Sequence, residues 1–380
     1  MNLSETWDVL AAIGSLQERG RKMALATIVE VRGSTYRRPG ARLLVPDDGD
    51  IVGNLSGGCL EGEVTQVAHE VMDDGEPRLE LYDLTADDEV VWGWGLGCNG
   101  AIEVFVEPAE KVAEMAEALR SAIDDERSVA VVTVLRSAVP GVVTGARALV
   151  YPGGERHGSL GRDDVDEAVL SLLADDIDRR DTTGHDLALP EGDVRVFLEC
   201  LEPPLRLLVC GAGHDAIPVV KLALSLGWRV AVADDRAAFL SQDRFGPGAG
   251  FVRCSPADVV EAAAVDERTF VAVMSHNYLR DRDYLRALLP SDAPYVGMLG
   301  PRARTERLLD ELATEGIVAT YAERSRVHGP AGLDLGAEGP EEIAAALVGE
   351  VLAVSRGRAG GFLRERRGSI HDDREPVADH

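Results

Sequence analysis

Lysine is nearly absent from this 380-residue chain: Lys22, Lys111 and Lys221 are the only three, so 36 of its 39 basic residues are arginine. Positive charge is scarce overall, with 66 acids against those 39 bases and a net charge of −27. A surface of that sign repels phosphate backbones, which excludes the electrostatic footprint of a nucleic-acid binder. Long apolar runs are missing too. No segment reaches the roughly 18 residues a membrane helix needs. The opening MNLSETWDVL carries acids where a signal peptide would carry basic residues and then an apolar stretch. Neither membrane insertion nor secretion is expected. Cysteine is sparse as well: Cys59, Cys98, Cys200, Cys210 and Cys254 are odd in number, far apart and without a CxxC, and no HExxH occurs. A disulfide framework and a conventional zinc site are thereby excluded, and a reducing cytosol is the expected compartment.

What the chain does contain, at a length that suits two or three domains, is an internal repeat. Residues 24–46 read ALATIVEVRGSTYRRPGARLLVP and residues 130–151 read AVVTVLRSAVPGVVTGARALVY, with Gly40-Ala41-Arg42 matching Gly145-Ala146-Arg147 at an offset of 105. The offset persists from Leu55 to Leu160 and from Val64 to Val169. IEVFVEP at 102–108 resembles FLECLEP at 197–203 at an offset of 95, which makes the second copy ten residues shorter, the loss falling around Trp92–Gly100. Each copy, about 22–108 and 128–203, reads as strand, turn, strand, helix and closing strand, and the two are expected to pack as one α/β unit over residues 1–203.

Beyond Pro203-Pro204 the pattern becomes strand, glycine turn and helix in alternation, which predicts a Rossmann-like, doubly wound parallel sheet over 204–358. Residues 359–380 are polar and are expected to form a disordered tail. Gly211-Ala212-Gly213-His214-Asp215-Ala216 lies between an apolar strand and a helical run, the context in which GxGxxG/A cradles a phosphate at a helix N-terminus. Asp234 ends the next strand, 23 residues after Gly211, near the spacing of an acid that grips a ribose hydroxyl. Arg236, Ser275-His276-Asn277 and Gly300-Pro301-Arg302 follow later strands and should face the same crevice, since ligands of such sheets bind beyond the carboxyl ends of the strands.

The two copies of the repeat differ in chemistry. The first carries Ser56-Gly57-Gly58-Cys59-Leu60-Glu61-Gly62-Glu63 and Gly95-Leu96-Gly97-Cys98; the second has Gly161-Arg162-Asp163-Asp164-Val165-Asp166 opposite the former and little opposite the latter. Glycines beside a cysteine let the backbone bend tightly and bring a thiol to a ligand unobstructed. Arg37, Arg38 or Arg42 nearby would lower that thiol's pKa. Copy one is thus expected to hold a site and copy two to support it, whereas Cys200, Cys210 and Cys254, in or beside apolar strands, read as core residues.

These strings together resemble the XdhC/CoxI family of accessory proteins that mature xanthine dehydrogenase and related molybdenum hydroxylases. The resemblance rests on Gly33-Ser34-Thr35, Arg38-Pro39-Gly40-Ala41-Arg42, the two glycine-cysteine loops, Gly211-Ala212-Gly213-His214, Asp234-Asp235-Arg236, Ser275-His276-Asn277, Tyr295–Gly300 and Gly332-Leu333-Asp334-Leu335. Two departures stand out: Asn99 where the family pattern has Gly, and Pro301 where it has Ser. The resemblance implies a carrier, not an enzyme in the strict sense. It would bind molybdenum cofactor, as molybdopterin or a nucleotide form of it, protect it, and deliver it sulfurated to an apo-hydroxylase of the xanthine dehydrogenase or CO dehydrogenase type. A sulfur-donor protein would be a second partner and a homodimer the assembly. Cys59 and Cys98 would handle the metal head or its sulfur. Gly57, Gly58, Arg38, Glu61, Gly211, Gly213, His214, Asp234, Arg236, Ser275, His276, Gly300, Arg302 and Asp334 would line the cofactor. The same glycine loop leaves an NAD(P)-dependent oxidoreductase as the alternative, with Asp234 selecting NAD and Cys59 or His276 in catalysis, and an assembly factor without a small ligand as the third reading.

Overall fold

From Ala24 to Val29 the side chains are small or apolar apart from Thr27, the composition of a strand covered on both faces. In the computed structural model, which describes residues 3–35, 37–58, 60–83, 99–109 and 112–365, that stretch is the centre of a sheet. The chain divides into two compact units, Met1–Pro203 and Pro204–His380.

The first unit begins with α1 (Leu3–Glu18), followed by β1 (Met23–Ser34), β2 (Arg42–Pro46), β3 (Val52–Gly53), α2 (Glu61–Asp74), β4 (Arg78–Asp83) and β5 (Asn99–Pro108). The strands form an antiparallel sheet in the order β3-β2-β1-β5-β4. Val64, Ala68 and Val71 recur at helical spacing on α2 and pack on Ala24, Ala26, Ile28, Val104 and Val106 of one sheet face. Gly75 ends that helix in a left-handed conformation, its N–H donating to the Val71 carbonyl. The other face takes Leu25 and Leu44 into a core with Val9, Leu10 and Ile13 of α1 and with Ala116 and Leu119 of α3 (Ala113–Asp124).

After α3 the chain repeats the arrangement: β6 (Val129–Ser137), β7 (Arg147–Val150), β8 (Arg156–Ser159), α4 (Asp163–Leu172), α5 (Ala174–Arg179), β9 (Thr183–Leu189) and β10 (Gly192–Leu201). Its sheet order, β8-β7-β6-β10-β9, is that of the first. Register gives the correspondence residue by residue. Thr27 faces Arg42 and Phe105, and Thr133 faces Arg147 and Phe197, with a bulge one step further on in both copies. The closing strands therefore correspond at an offset of 92, from Phe105 to Phe197, and not at the 95 read from the shared Glu-Pro. The second copy is shorter by 13: 15 residues separate β4 from β5, against 2 between β9 and β10.

The copies join through Val29 and Phe105 of one against Leu135 and Phe197 of the other, all buried. Two crossed ion pairs flank this contact, Arg42 of copy one with Glu199 of copy two and Arg147 of copy two with Glu107 of copy one. Arg195 extends the seam to Glu30 and Glu103.

The second unit comprises β11 (Arg206–Cys210), α6 (Ala216–Ser225), β12 (Arg229–Ala233), α7 (Gln242–Phe245), β13 (Gly250–Val252), α8 (Val259–Ala262), β14 (Thr269–Val273), α9 (Tyr278–Leu288), β15 (Tyr295–Met298), α10 (Arg302–Thr314), α11 (Tyr321–Ser325), β16 (Val327–His328) and α12 (Pro340–Ser355). All its strand pairs are parallel, in the order β13-β12-β11-β14-β15-β16. Alternation along β11 sends Leu207 and Val209 into a core with α6 and α12, and Leu208 and Cys210 into the opposite core with α9 and α10. This is the expected Rossmann-like doubly wound sheet. Ordered structure continues into the segment expected to be a tail: Gly360 lies against Leu333, and Leu363–Glu365 forms a single 3₁₀ turn. Residues 366–380 lie outside the described residues. No helix among the described residues is long and apolar enough to cross a membrane.

Candidate functional site

In the second unit the chain winds outward from β11 through β12 to β13, then returns to β14 beside β11 and continues outward to β15 and β16. The strand order reverses between β11 and β14, and such a reversal opens a crevice at the carboxyl ends of the strands. The loops after those two strands meet there. Gly211 has φ +113°, and a Cβ on it would lie 2.6 Å from Ser275 Cα, so only glycine allows the two backbones to approach this closely. His276 sits at φ +55°, uncommon for a residue with a side chain, and its Nε2 lies 2.5 Å from Asp215 Oδ2. The ring is half exposed, and His214 of the neighbouring loop is exposed. The first turn of α6 carries no acid, and Asp215, immediately before it, is engaged by His276.

Asp234 is placed differently from the expectation. It is fully buried, and both its oxygens accept from the chain's own donors: Ala212 N at 2.9 Å, Arg236 N at 2.9 Å, Arg236 Nε and Nη2 at 2.9 and 2.8 Å, and Arg280 Nη2 at 3.2 Å. Burial alone would raise this carboxyl's pKa, but those donors outweigh it and hold the pKa far below the ordinary range. The carboxylate is thus spent on the chain's own donors, among them the Ala212 N–H of the glycine loop. Arg244 braces the same loop from in front, donating to the carbonyls of Ala212 and Phe239 at 2.9 and 2.7 Å.

Ser275 Oγ donates to buried Asp281 at 2.5 Å, and Arg304 pairs with the other oxygen of Asp281 at 2.5 Å. Asn277 caps α9, its side chain accepting from Leu279 N and Arg280 N. The loop after β14 is therefore held as firmly as the loop after β11. Gly300, at φ +121°, turns the chain into α10, where Arg302 is exposed, and Asp334 is exposed on a later loop. Among the described residues no hydrogen bond or ion pair ties Arg302 or Asp334 to the switch-point cluster.

In the first unit the loop before α2 is built around Ser56. Its hydroxyl donates to Glu61 Oε2 at 2.5 Å and accepts from Gly58 N and Leu60 N, both at 3.1 Å, while Glu61 Oε1 accepts from Ser56 N at 2.8 Å and Leu55 N at 3.2 Å. Gly57 and Gly58 are exposed, and a Cβ on either would meet nothing within 4 Å. Arg38 is exposed. Arg42 is buried and pairs with Glu199 at the seam. Cys59 and Cys98 lie outside the described residues. Among the described residues no group of three or more potential ligands could hold a metal ion.

Glu61 has a counterpart. Asp166, at the repeat's offset of 105, accepts from Leu160 N at 2.7 Å just as Glu61 accepts from Leu55 N. A carboxylate that recurs in both copies organises the loop rather than a ligand peculiar to one of them. Burial would raise the Glu61 carboxyl, but the Ser56 hydroxyl and the N–H groups of Ser56 and Leu55 hold its pKa below the usual carboxylate range. Such a group adds stability above its unfolded pKa, and that stability is lost as pH falls through the lower folded pKa. Glu61→Ala and Asp166→Ala should each cost about 1–3 kcal/mol at neutral pH, measured by denaturant unfolding, and Glu61→Ala should flatten the acid side of the stability profile.

A family model described as the XdhC Rossmann domain matches residues 207–351, and one described as the XdhC and CoxI family matches residues 16–83. A protein of Bacillus subtilis described as a probable subunit of xanthine dehydrogenase is 31% identical over 343 residues, covering 90% of this chain and 95% of that protein. The chain belongs to the XdhC and CoxI family. Another relative is the molybdenum cofactor insertion chaperone PaoD of Escherichia coli, 25% identical across 88% of this chain and 84% of its own length. Among solved structures, a xanthine dehydrogenase from Bacillus halodurans is 30% identical and superposes with a TM-score of 0.74 over 92% of this chain and 96% of that one.

Within this XdhC-family chain, Arg244, Asp281, Arg280 and Arg304 support the crevice although sequence reasoning passed over them. Arg244 is 32 residues from the Ala212 carbonyl it binds, and no local pattern announces such a contact. Asp281 had a weak signal: an acid one turn into a helix that opens with Asn277.

Proposed function

We propose that this XdhC-family chain is an accessory protein of a molybdenum hydroxylase of the xanthine dehydrogenase or CO dehydrogenase type, binding molybdenum cofactor as cargo, shielding it, and handing its sulfurated form to the apo-enzyme. The observation that carries the reading is the likeness along most of both chains to a molybdenum cofactor insertion chaperone. The crevice residues suit the anionic end of such a cargo. His276, His214 and Arg236 offer donors beside the loop that carries Gly213. Cys59 and Cys98 supply soft sulfur chemistry for the metal head or its transferable sulfur. Gly57 and Gly58, which precede the first of those cysteines in sequence, are exposed, with Ser56 and Glu61 fixing the loop's shape. A sulfur donor and a second copy of the chain are the further partners in this reading. In this reading Asp234, whose carboxylate is already engaged by the chain's own donors, supports the loop and not the cargo.

A Cβ on Gly213 would stand 3.3 Å from Asp215 Oδ1 and 3.6 Å from His276 Cδ2. Gly213→Val should therefore push the Asp215–His276 pair apart and weaken cofactor retention by roughly tenfold or more, a change of about 1.4 kcal/mol, while the first unit unfolds as in the parent. Equal retention would remove this loop from the site.

The function is tested by loading the purified chain with molybdenum cofactor and adding it to an apo-hydroxylase in air-exposed buffer. Higher final activity than with the same amount of free cofactor supports the carrier. Equal activity from free cofactor contradicts it.

A further inference from the structure

Where the two copies of the first unit meet, the crossed ion pairs line a small cavity of about 20 Å³. Thr27 and Thr133, at corresponding positions, line it with Arg42, Glu107, Arg147 and Glu199, and apolar side chains close the remainder. The Glu199 side chain is 3% exposed and that of Arg147 10% exposed. Glu199 gives one oxygen to Arg42, and Arg147 gives its two terminal nitrogens to Glu107 and to the Gly145 carbonyl. Among the described residues Glu199 Oε1 and Arg147 Nε have no hydrogen-bond partner. A carboxylate oxygen and a guanidinium N–H left unpartnered at this depth are costly, and native proteins satisfy such groups.

We propose that this joint binds one permanently buried water molecule. Size and charge select the ligand. A cavity of about 20 Å³ exceeds the roughly 10–15 Å³ that one water needs and is of the size such a molecule fills. Two arginines and two glutamates sum to zero charge, so an ion entering would lose its hydration without a net countercharge. Water is neutral and can both donate and accept: it gives a proton to Glu199 Oε1 while Arg147 Nε–H and the two threonine hydroxyls supply further partners.

The test is a high-resolution crystal structure of the full chain together with oxygen-17 relaxation dispersion in solution, which counts long-lived waters. Density for one water about 3 Å from Glu199 Oε1 is expected, and Thr133→Ile, which adds bulk to the cavity, should lower the long-lived count by one. Thr27→Ile, from the opposite copy, should do the same and serves if the first variant fails to fold. Flat density in the cavity, a Glu199 side chain turned onto Arg147, or an unchanged count in a folded variant would overturn the proposal.

Discussion

Asp234→Ala should destabilise the second unit by about 3–5 kcal/mol, the usual cost of removing one partner from a buried, paired charge. The change strips an acceptor from Ala212 N and leaves Arg236 and Arg280 facing each other across the vacated space. Denaturant unfolding followed by the fluorescence of Trp228, buried in the core beside α6, reports on this unit once Trp7, Trp92 and Trp94 are replaced by phenylalanine. The pH dependence has a definite sign. The folded pKa lies below the unfolded value of about 3.9, so the stabilisation is fully present above that value and is lost as pH falls through the folded pKa. Asp234→Asn should lack this part of the acid slope. Because the carboxylate is already engaged by Ala212 N, Arg236 and Arg280, the proposed reading expects Asp234→Asn to weaken retention of mononucleotide and dinucleotide forms of the cofactor alike. Parent-like stability together with selective loss of one form would return Asp234 to the binding surface.

The second large effect concerns chemistry and not folding. Cys59→Ser with Cys98→Ser should reduce activation of an apo-hydroxylase by preloaded chain by roughly 100-fold or more, since disturbing even the outer partners of a metal ligand costs 10–100-fold. Cys200→Ser is the matched control. Burial, with the Glu202 and Glu199 carboxylates adding to it, pushes the Cys200 thiol up to about 12, so at neutral pH it is neither nucleophile nor ligand. The unfolding midpoint measured beside activation separates lost protein from lost chemistry. Full activation by the folded double variant would reject the cysteine role and leave the surrounding glycines a purely structural part.

The second unit was the more legible half because its signals are local. Each strand is a short apolar run, each turn a glycine or polar cluster, and each helix starts where the spacing changes; α12 opens on Pro340 followed by two glutamates as its sequence suggests. Asp234 shows where such reading stops. A spacing of 23 residues places an acid at the end of β12 without saying which way it points, and its enclosure depends on Arg236, Arg280 and a backbone N–H that converge only in the fold. In the first unit the duplication itself was legible and its phase was not. Glu107-Pro108 matches Glu202-Pro203 letter for letter, yet pairing of Phe105 with Thr27 and of Phe197 with Thr133 sets a different correspondence. That register makes Glu107 equivalent to Glu199, the two acids of the crossed ion pairs. Glu61 shows a related limit: Asp166 stands at the same offset in the sequence, but that each carboxylate accepts from the loop before its helix is visible only in the fold.

Retention is the most direct measure of the carrier account. The purified full chain is incubated separately with molybdenum cofactor, NAD and NADP, passed through a gel-filtration column, and assayed for what elutes with the protein. The account predicts pterin and molybdenum in the protein peak at near-stoichiometric yield, with neither dinucleotide retained. Bound NAD or NADP without pterin would contradict it.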